Sequence, residues 1–271
     1  MKIWLASLLL YIPLSFAQTD VKFNDSFFGD SISYQSNNAS EQKIYIHKYN
    51  ISKDPKPTII LLHGCGGLKE HSKIWVRQLV EWNYNVVVVD SFTSRGMPNG
   101  ACTVTSYLKN PPNDRVEDLF ATATWVLTQS WNKGKPATVG FSHGGNTVYL
   151  ASHSTNAERS KRLLSSGVSF YPWCWSYVEP DSEWPLQIHV GTADDWNSAA
   201  SCVRNEYRKS NTLEFFIYQD AHHGWDIDGA NYSMPATDGR NVSNKTVKFD
   251  YEANRLSRER TKEWFDKNFT R

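Results

Sequence analysis

Short apolar runs alternate along the chain with segments of helical spacing. Seven runs rich in β-branched or apolar residues have the length of strands: 43–49, 58–62, 86–90, 137–141, 167–171, 186–190 and 213–219. Segments 72–82 and 114–131 place apolar residues on one helical face, and 251–269 is expected to form a closing helix. Residues 86–89 are all valine, which is typical of a parallel strand covered on both sides. The pattern therefore predicts an α/β fold, with a mostly parallel central sheet and helices on both faces.

Polar or glycine-rich segments directly follow most of these runs. They cover residues 63–67, 91–96, 142, 171–174, 191–196 and 222–225. Ligands of an open α/β sheet bind outside the carboxyl ends of the strands. We therefore expect these segments to meet at one edge of the sheet and to form a ligand site there.

Ser142 lies in the most informative of these segments, Gly140-Phe141-Ser142-His143-Gly144. A strand, a sharp turn and a helix-compatible segment follow one another here. The two glycines lack the Cβ atoms that would clash in such a tight bend. Ser142 is therefore the candidate nucleophile, and the alternative is a serine that caps a helix in a glycine-rich loop.

A serine nucleophile needs a general base and an acid that orients that base. The sequence offers both after Ser142. Asp194 follows the run 186–190, and His223 follows the run 213–219. The resulting order of serine, aspartate and histidine is the order found in α/β-hydrolases.

Each of these two candidates has a neighbour of the same residue type. Asp194 is preferred because it occupies the fourth position of a Gly-x-x-Asp turn, and Asp195 is the alternative acid. His223 is preferred because Gly224 follows it and frees the loop to turn the ring inward. His222 is the alternative base.

Attack on an acyl carbon creates an oxyanion, which two backbone N–H groups usually stabilise. His143 directly follows Ser142 and is expected to supply one of them. The glycine-rich segment 63–67 is expected to supply the other, with Cys65 as first choice and Gly66 as second. The alternative for this segment is a turn without a catalytic role.

With these residues, the chain resembles the dienelactone hydrolase-like branch of the α/β-hydrolase family. The resemblance runs from about residue 44 to residue 269. It rests on four motifs, which are His63-Gly-Cys-Gly-Gly67, Gly140-Phe-Ser-His-Gly-Gly145, Gly191-x-x-Asp194 and His223-Gly-Trp225. It implies an α/β-hydrolase domain over residues 43–271 that cleaves esters or lactones, and no cofactor is expected.

One position departs from that branch. The enzyme that names the branch looks to use a cysteine nucleophile, whereas this chain has Ser142. The family also implies polar groups that hold a substrate carboxylate. Arg95, in the long loop 91–112, is the candidate for that role, and a solvated surface arginine is the alternative. The resemblance therefore implies a general ester hydrolase rather than an enzyme for dienelactone itself.

Five tryptophans lie in or beside the segments of the expected ligand site: Trp173, Trp175, Trp184, Trp196 and Trp225. Aromatic side chains line pockets for acyl or aryl groups, although about half of the five are expected in the core. Trp173 and Trp225 are the candidates for substrate contact. The loop between the runs 167–171 and 186–190 is short, so no large lid domain is expected.

Length and charge narrow the range of partners. The chain has 271 residues, 40% of them hydrophobic, which suffices for one large domain with a full core. Its 29 basic and 28 acidic residues give a formal charge of +1, and no basic block occurs. Nothing therefore indicates nucleic-acid binding, and a small or uncharged ligand fits better. With the resemblance, the expected partner is a small ester or lactone.

The N-terminus has the features of a secretory signal peptide. Residues 1–17 combine a lysine at position 2, an apolar run that ends at residue 14 and small residues at positions 15 and 17. Cleavage after Ala17 is expected, followed by a leader, residues 18–42, and a secreted or periplasmic domain. An uncleaved anchor is the alternative, although the run is shorter than the ~20 residues of a membrane span. No stable membrane insertion is expected after cleavage.

All four cysteines follow the predicted signal peptide, and an oxidising compartment favours disulfides. Three connectivities are possible. We predict Cys65 with Cys102, because their parent strands are expected to be close in the sheet, and hence Cys174 with Cys202. No cysteine pair has the spacing of a zinc site, so no metal site is expected.

The leading hypothesis is a secreted serine hydrolase that acts through an acyl-enzyme intermediate. A peptidase or acyl transferase with the same residues is one alternative, and a non-catalytic binding protein on the same scaffold is another. The combination of nucleophile, acid, base and oxyanion segment favours an enzyme, because a binding protein does not need all four.

Overall fold

A computed structural model describes residues 30–35, 41–104, 112–175, 180, 183–208, 210–237 and 241–269. Its strands are β1 (Asp30–Gln35), β2 (Glu41–Tyr49), β3 (Thr58–Leu62), β4 (Asn85–Asp90), β5 (Ala137–Phe141), β6 (Gly167–Phe170), β7 (Leu186–Gly191), β8 (Leu213–Tyr218), β9 (Asn231–Thr237) and β10 (Val242–Lys248). Its helices are α1 (Glu70–Glu81), α2 (Pro112–Leu127), α3 (His143–Ala151), α4 (Ser154–Leu163) and α5 (Tyr251–Phe269). The predicted signal peptide, residues 1–17, lies outside the described residues.

Eight strands form one sheet in the order β1-β2-β4-β3-β5-β6-β7-β8. The strands from β4 to β8 in that order pair in parallel, and β1 and β2 are antiparallel at one edge. The mostly parallel sheet that the sequence predicts is confirmed. Within the described residues, no lid domain is inserted.

Helices cover both faces of the sheet, and each face has its own apolar core. Helices α2, α3 and α4 contribute to one core, and α1 and α5 contribute to the other. The valines of β4 divide between the two cores, with Val87 and Val89 on one side and Val86 and Val88 on the other. Alternate side chains of a strand point to opposite faces, so a strand between two cores must be apolar throughout.

The polar strand β1 and the polar helix α4 are not among the sequence predictions. Strand β1 falls in the predicted leader, and only Ile32 of its six residues is buried, opposite Ile44 of β2. Helix α2 ends at Leu127, four residues before the predicted end. The boundary between leader and domain stays a prediction, although residues 30–35 extend the sheet.

Strands β9 and β10 form an antiparallel hairpin between β8 and α5, in a stretch where the apolar pattern predicts no strand. Most of the hairpin's residues are at least partly exposed, which explains the polar sequence. The N–H of Phe249 donates to the carbonyl of Ala230 at 2.7 Å, so the two ends of the hairpin are tied together.

Disulfides join Cys65 to Cys102 and Cys174 to Cys202, which are the pairs that the sequence predicts. In the part of the chain that the structure describes, no helix combines the length and the apolar character needed to cross a membrane.

Candidate active site

Ser142 sits in the turn between β5 and α3. Its backbone has φ 53° and ψ −113°, a conformation that L-residues rarely adopt. A Cβ at Gly140 would lie 2.1 Å from the carbonyl oxygen of Gly144, and a Cβ at Gly144 would lie 2.1 Å from that of Leu62. Only glycine fits these two positions, and the close approach presents Ser142 at the carboxyl edge of the sheet.

His223 links Ser142 to Asp194. Its Nε2 lies 2.9 Å from Oγ of Ser142, and its Nδ1 lies 2.8 Å from Oδ2 of Asp194. All three residues are buried. An ionised carboxylate only accepts hydrogen bonds, so Nδ1 carries the proton and Nε2 accepts from the serine hydroxyl. The structure thus brings together the three residues that the sequence proposes as nucleophile, base and acid.

The two adjacent aspartates at the end of β7 point to different partners. The second carboxylate oxygen of Asp194 accepts the backbone N–H groups of Trp196 and Asn197, both at 2.8 Å. The Asp195 carboxylate accepts the backbone N–H of Thr246 at 3.0 Å and its hydroxyl at 2.9 Å. Asp194 is therefore the acid in contact with the imidazole, and Asp195 anchors the hairpin.

Segment 63–67 passes directly beside the serine. A Cβ at Gly64 would lie 3.6 Å from Cβ of Ser142, and Cys65 lines the same cavity as Ser142. His143 is the first residue of α3, where backbone N–H groups have no partner within the helix. Both segments proposed for the oxyanion site are therefore adjacent to the nucleophile.

His63 holds this segment in place. Its Nδ1–H donates to the carbonyl of Gly64 at 2.7 Å, and its Nε2 accepts the N–H of Ser91 at 3.4 Å. Burial and the nearby charge of Arg115 lower the pKa of His63 to about 3, so the ring is neutral and donates from one nitrogen only. The sequence motif includes His63 but does not indicate this structural role.

The disulfide between Cys65 and Cys102 adds a second restraint. Gly100 has φ 93°, and a Cβ there would lie 2.6 Å from the carbonyl oxygen of Cys65. The same oxygen accepts the N–H of Ala101 at 2.7 Å. Residues 99–102 are therefore packed tightly against the proposed oxyanion segment.

The structure pairs Arg95, the residue proposed to hold a substrate carboxylate, with a buried aspartate. Its guanidinium forms two hydrogen bonds with the carboxylate of Asp118, each 2.8 Å long. Asp118 is fully buried and also accepts the hydroxyl of Tyr34 at 2.6 Å. A buried carboxylate requires such a partner, so Arg95 is committed to Asp118 and does not belong to the described cavity lining.

Neither Trp173 nor Trp225, the tryptophans proposed for substrate contact, belongs to the described cavity lining. Trp173 is 40% exposed and lies outside the described cavity lining. Trp225 is completely buried, and its ring packs against Tyr171 at 4.9 Å. The tryptophan that does line the cavity is Trp196, whose ring lies 4.6 Å from that of His223.

The cavity above Ser142 has a volume of about 560 Å³. Polar and charged side chains line it near the start of α1, where Lys69, Glu70 and His71 contribute. Its apolar lining comes largely from the loops after β7 and β8 and from the hairpin: Trp196, Ile227, Tyr232, Met234, Pro235 and Val247. This volume is typical of a site for a small molecule.

Asp226 lies behind the cavity and was not indicated by the sequence analysis. It is fully buried and accepts three hydrogen bonds, from Nε2 of His71 at 2.7 Å, Nε1 of Trp75 at 2.6 Å and the hydroxyl of Tyr171 at 3.0 Å. Burial raises the pKa of Asp226, but His71 and Trp75 outweigh this and lower it to about 2. The ring of Tyr171 packs 4.5 Å from that of His223, so Tyr171 connects Asp226 to His223.

Comparison with known proteins identifies the family of this chain. The family model of the dienelactone hydrolase family matches residues 45–269. The chain belongs to this family. It is therefore an ester-cleaving hydrolase, and its substrate is a small molecule. A search of the curated proteins gave no match.

Solved structures share the fold of this dienelactone hydrolase family member. The dienelactone hydrolase of Anabaena variabilis ATCC 29413 superimposes with a TM-score of 0.61 at 15% identity, covering 89% of this chain and 97% of that one. The Pyrococcus furiosus esterase Pf2001 gives a TM-score of 0.60 at 15% identity, covering 90% and 94%. These identities are low, so the likeness concerns the fold alone.

Proposed function

We propose that this hydrolase cleaves carboxylic esters or lactones through an acyl-enzyme intermediate on Ser142. The observation that supports the proposal most directly is the pair of hydrogen bonds through His223, 2.9 Å to Ser142 and 2.8 Å to Asp194. A serine hydroxyl is a weak nucleophile by itself, and a base oriented by a carboxylate activates it.

The proposed reaction has two halves. Oγ of Ser142 attacks the acyl carbon while its proton moves to Nε2 of His223, and Asp194 stabilises the imidazolium that forms. The backbone N–H groups of Cys65 and His143 bind the oxyanion. The tetrahedral intermediate collapses, the bond to the alcohol oxygen breaks, and His223 returns the proton to that oxygen. Water then attacks the acyl-enzyme in the same way and releases the acid.

A serine-directed fluorophosphonate tests this proposal. We expect one label on the folded protein at Ser142, and we expect Ser142→Ala to lose it. Hydrolysis of p-nitrophenyl acetate should fall roughly 10⁴–10⁶-fold in kcat for Ser142→Ala and for His223→Ala. The matched control is His222→Ala, which should keep activity within about threefold. Full activity of Ser142→Ala, or loss of activity only in His222→Ala, would reject the proposal.

We also propose that the protein acts after export. All four cysteines form the two disulfides, and such bonds are rare in reducing compartments. The predicted signal peptide supports the same location. Mass spectrometry of the protein from an exporting host should give an N-terminus at Gln18, and a mature chain that keeps residues 1–17 would contradict export by cleavage.

A further inference from the structure

The β9–β10 hairpin contributes an apolar surface to the cavity that contains Ser142. Tyr232, Met234, Pro235 and Val247 line this cavity. Tyr232 is paired directly with Val247, and Met234 lies two residues further along β9, so these three side chains share one face of the hairpin. A ligand bound at Ser142 therefore has this face within its cavity.

Hydrogen bonds fix the hairpin relative to the proposed catalytic residues. Thr246 binds the carboxylate of Asp195, next to Asp194. The N–H of Lys248 donates to the carbonyl of His223 at 3.2 Å. These bonds place strand β10 against both the loop after β7, which contains Asp194, and the loop after β8, which contains His223.

Strand β9 is held at its far end as well. The N–H of Thr237 donates to the carbonyl of Cys102 at 2.8 Å, and the carbonyl of Thr237 accepts Nε1–H of Trp196 at 3.1 Å. Cys102 is bonded to Cys65 of the proposed oxyanion segment. These bonds thus hold the apolar face of the hairpin at a fixed position relative to the proposed catalytic residues. Selection among substrates requires such a fixed position.

The distribution of charge within the cavity indicates which part of a substrate packs against this face of the hairpin. The charged lining residues Lys69 and Glu70 lie at the start of α1 beside the polar His71, whereas the lining contributed by the hairpin carries no charge. Arg95, the residue expected to hold a substrate carboxylate, is paired with Asp118 instead. An apolar group of the substrate therefore gains the most binding free energy when it packs against the hairpin, because its surface is then removed from water.

We infer that the β9–β10 hairpin determines the substrate class of this enzyme and selects esters with an apolar group of medium length, such as a hexanoyl chain. The inference rests on the proposed function, since it concerns the same site. Met234 is the central determinant, because it is half-buried in the cavity wall and its flexible side chain adapts to an alkyl chain.

The test compares p-nitrophenyl hexanoate with p-nitrophenyl acetate on the full chain. The wild type should have the higher kcat/KM for hexanoate. Met234→Ala and Met234→Gln should each lower the ratio of hexanoate to acetate roughly tenfold, with the acetate value within about threefold of wild type. Val242→Ala is the matched control, because Val242 lies on the same hairpin, is 47% exposed and is outside the described cavity lining.

The outcomes separate this inference from the proposed function. If the folded wild type hydrolyses neither ester and takes no fluorophosphonate label, the proposed function fails. If it hydrolyses acetate but both Met234 variants keep the wild-type ratio, the hairpin does not select the acyl group. A parallel series of methyl to hexyl acetates then tests the alcohol group, and an unchanged ratio there as well overturns the inference. Thermal melting verifies that each variant is folded.

Discussion

Asp194 and Asp195 are neighbours in sequence but belong to different parts of the molecule. Asp194 holds His223 and two backbone N–H groups, while Asp195 holds Thr246 of the hairpin. The turn after β7 gives the two side chains different directions. One therefore serves the proposed catalytic chemistry, and the other serves the wall of the cavity.

Substituting each aspartate by asparagine separates these two roles. In Asp194→Asn the amide cannot act as a full carboxylate acceptor, so His223 adopts the wrong tautomer and kcat should fall by about 10⁴. In Asp195→Asn the amide oxygen still accepts from Thr246, and kcat for p-nitrophenyl acetate should fall less than about tenfold. Steady-state kinetics measures both variants, and equal losses would contradict the assignment of Asp194.

Asp226 should be a strong determinant of stability. In Asp226→Asn an amide replaces a buried carboxylate that accepts three hydrogen bonds. The NH₂ group of the asparagine then faces hydrogen-bond donors and cannot accept from them. We expect the free energy of unfolding to fall by roughly 2–4 kcal/mol. Urea unfolding followed by tryptophan fluorescence measures this. The exposed Asp228 gives the control, since Asp228→Asn should stay within about 0.5 kcal/mol of wild type.

The residues Ser142, Asp194 and His223 could be proposed from sequence because each follows a strand and has a chemically distinctive type. Arg95 and Trp225 follow strands as well, yet neither reaches the cavity. The position of a residue after a strand indicates which edge of the sheet it lies near. The direction of its side chain depends on partners such as Asp118 and Tyr171, which are distant in sequence.

At the scale of elements, burial decided what could be predicted. Strands β3 to β8 are largely buried, so their apolar runs identified them. Strand β1, helix α4 and the hairpin have mostly polar sequences because they lie at an edge or on the surface. Hydrogen bonding and pairing with neighbouring elements stabilise them, and neither leaves a hydrophobic pattern in the sequence.

The two disulfides offer a matched comparison between elements. They span 37 and 28 residues, so loss of either should lower the free energy of unfolding by a similar ~3–4 kcal/mol. Only the first restrains the proposed oxyanion segment. The double variant Cys65→Ser/Cys102→Ser should therefore lose at least roughly tenfold in kcat, and Cys174→Ser/Cys202→Ser less than about threefold. Denaturant titration measures the stability of both double variants, and ester kinetics measures their kcat. Equal losses in kcat would contradict a special role of the first disulfide.

The folded molecule as a whole encloses two neutral histidines. Burial lowers the pKa of both His63 and His189 to about 3, and His189 is held by Tyr218 and Gln187. In the unfolded chain each ring titrates near its ordinary pKa of 6.5. Between these two values the unfolded state binds protons that the folded state excludes, so acid favours unfolding.

We therefore expect the contribution of these two histidines to stability to be constant above about pH 7, and stability to fall as the pH decreases from about 6.5 to about 3. The slope from each histidine is at most ~1.4 kcal/mol per pH unit. Melting curves at successive pH values measure this dependence. The variant His189→Gln removes one titrating ring, so its acid slope should be shallower, and a slope equal to that of wild type would contradict the explanation.

The bond between Ala230 and Phe249 brings the two ends of the hairpin together. Residues 230 and 249 therefore lie side by side, and the hairpin leaves and rejoins the connection between β8 and α5 at the same place. A replacement hairpin between these two residues would have to keep the hydrogen bonds that the present one makes with Asp195, His223 and Cys102. The hairpin is thus a separate structural unit, and the side chains that it turns toward the cavity can vary without a change in the path of the chain that connects β8 to α5.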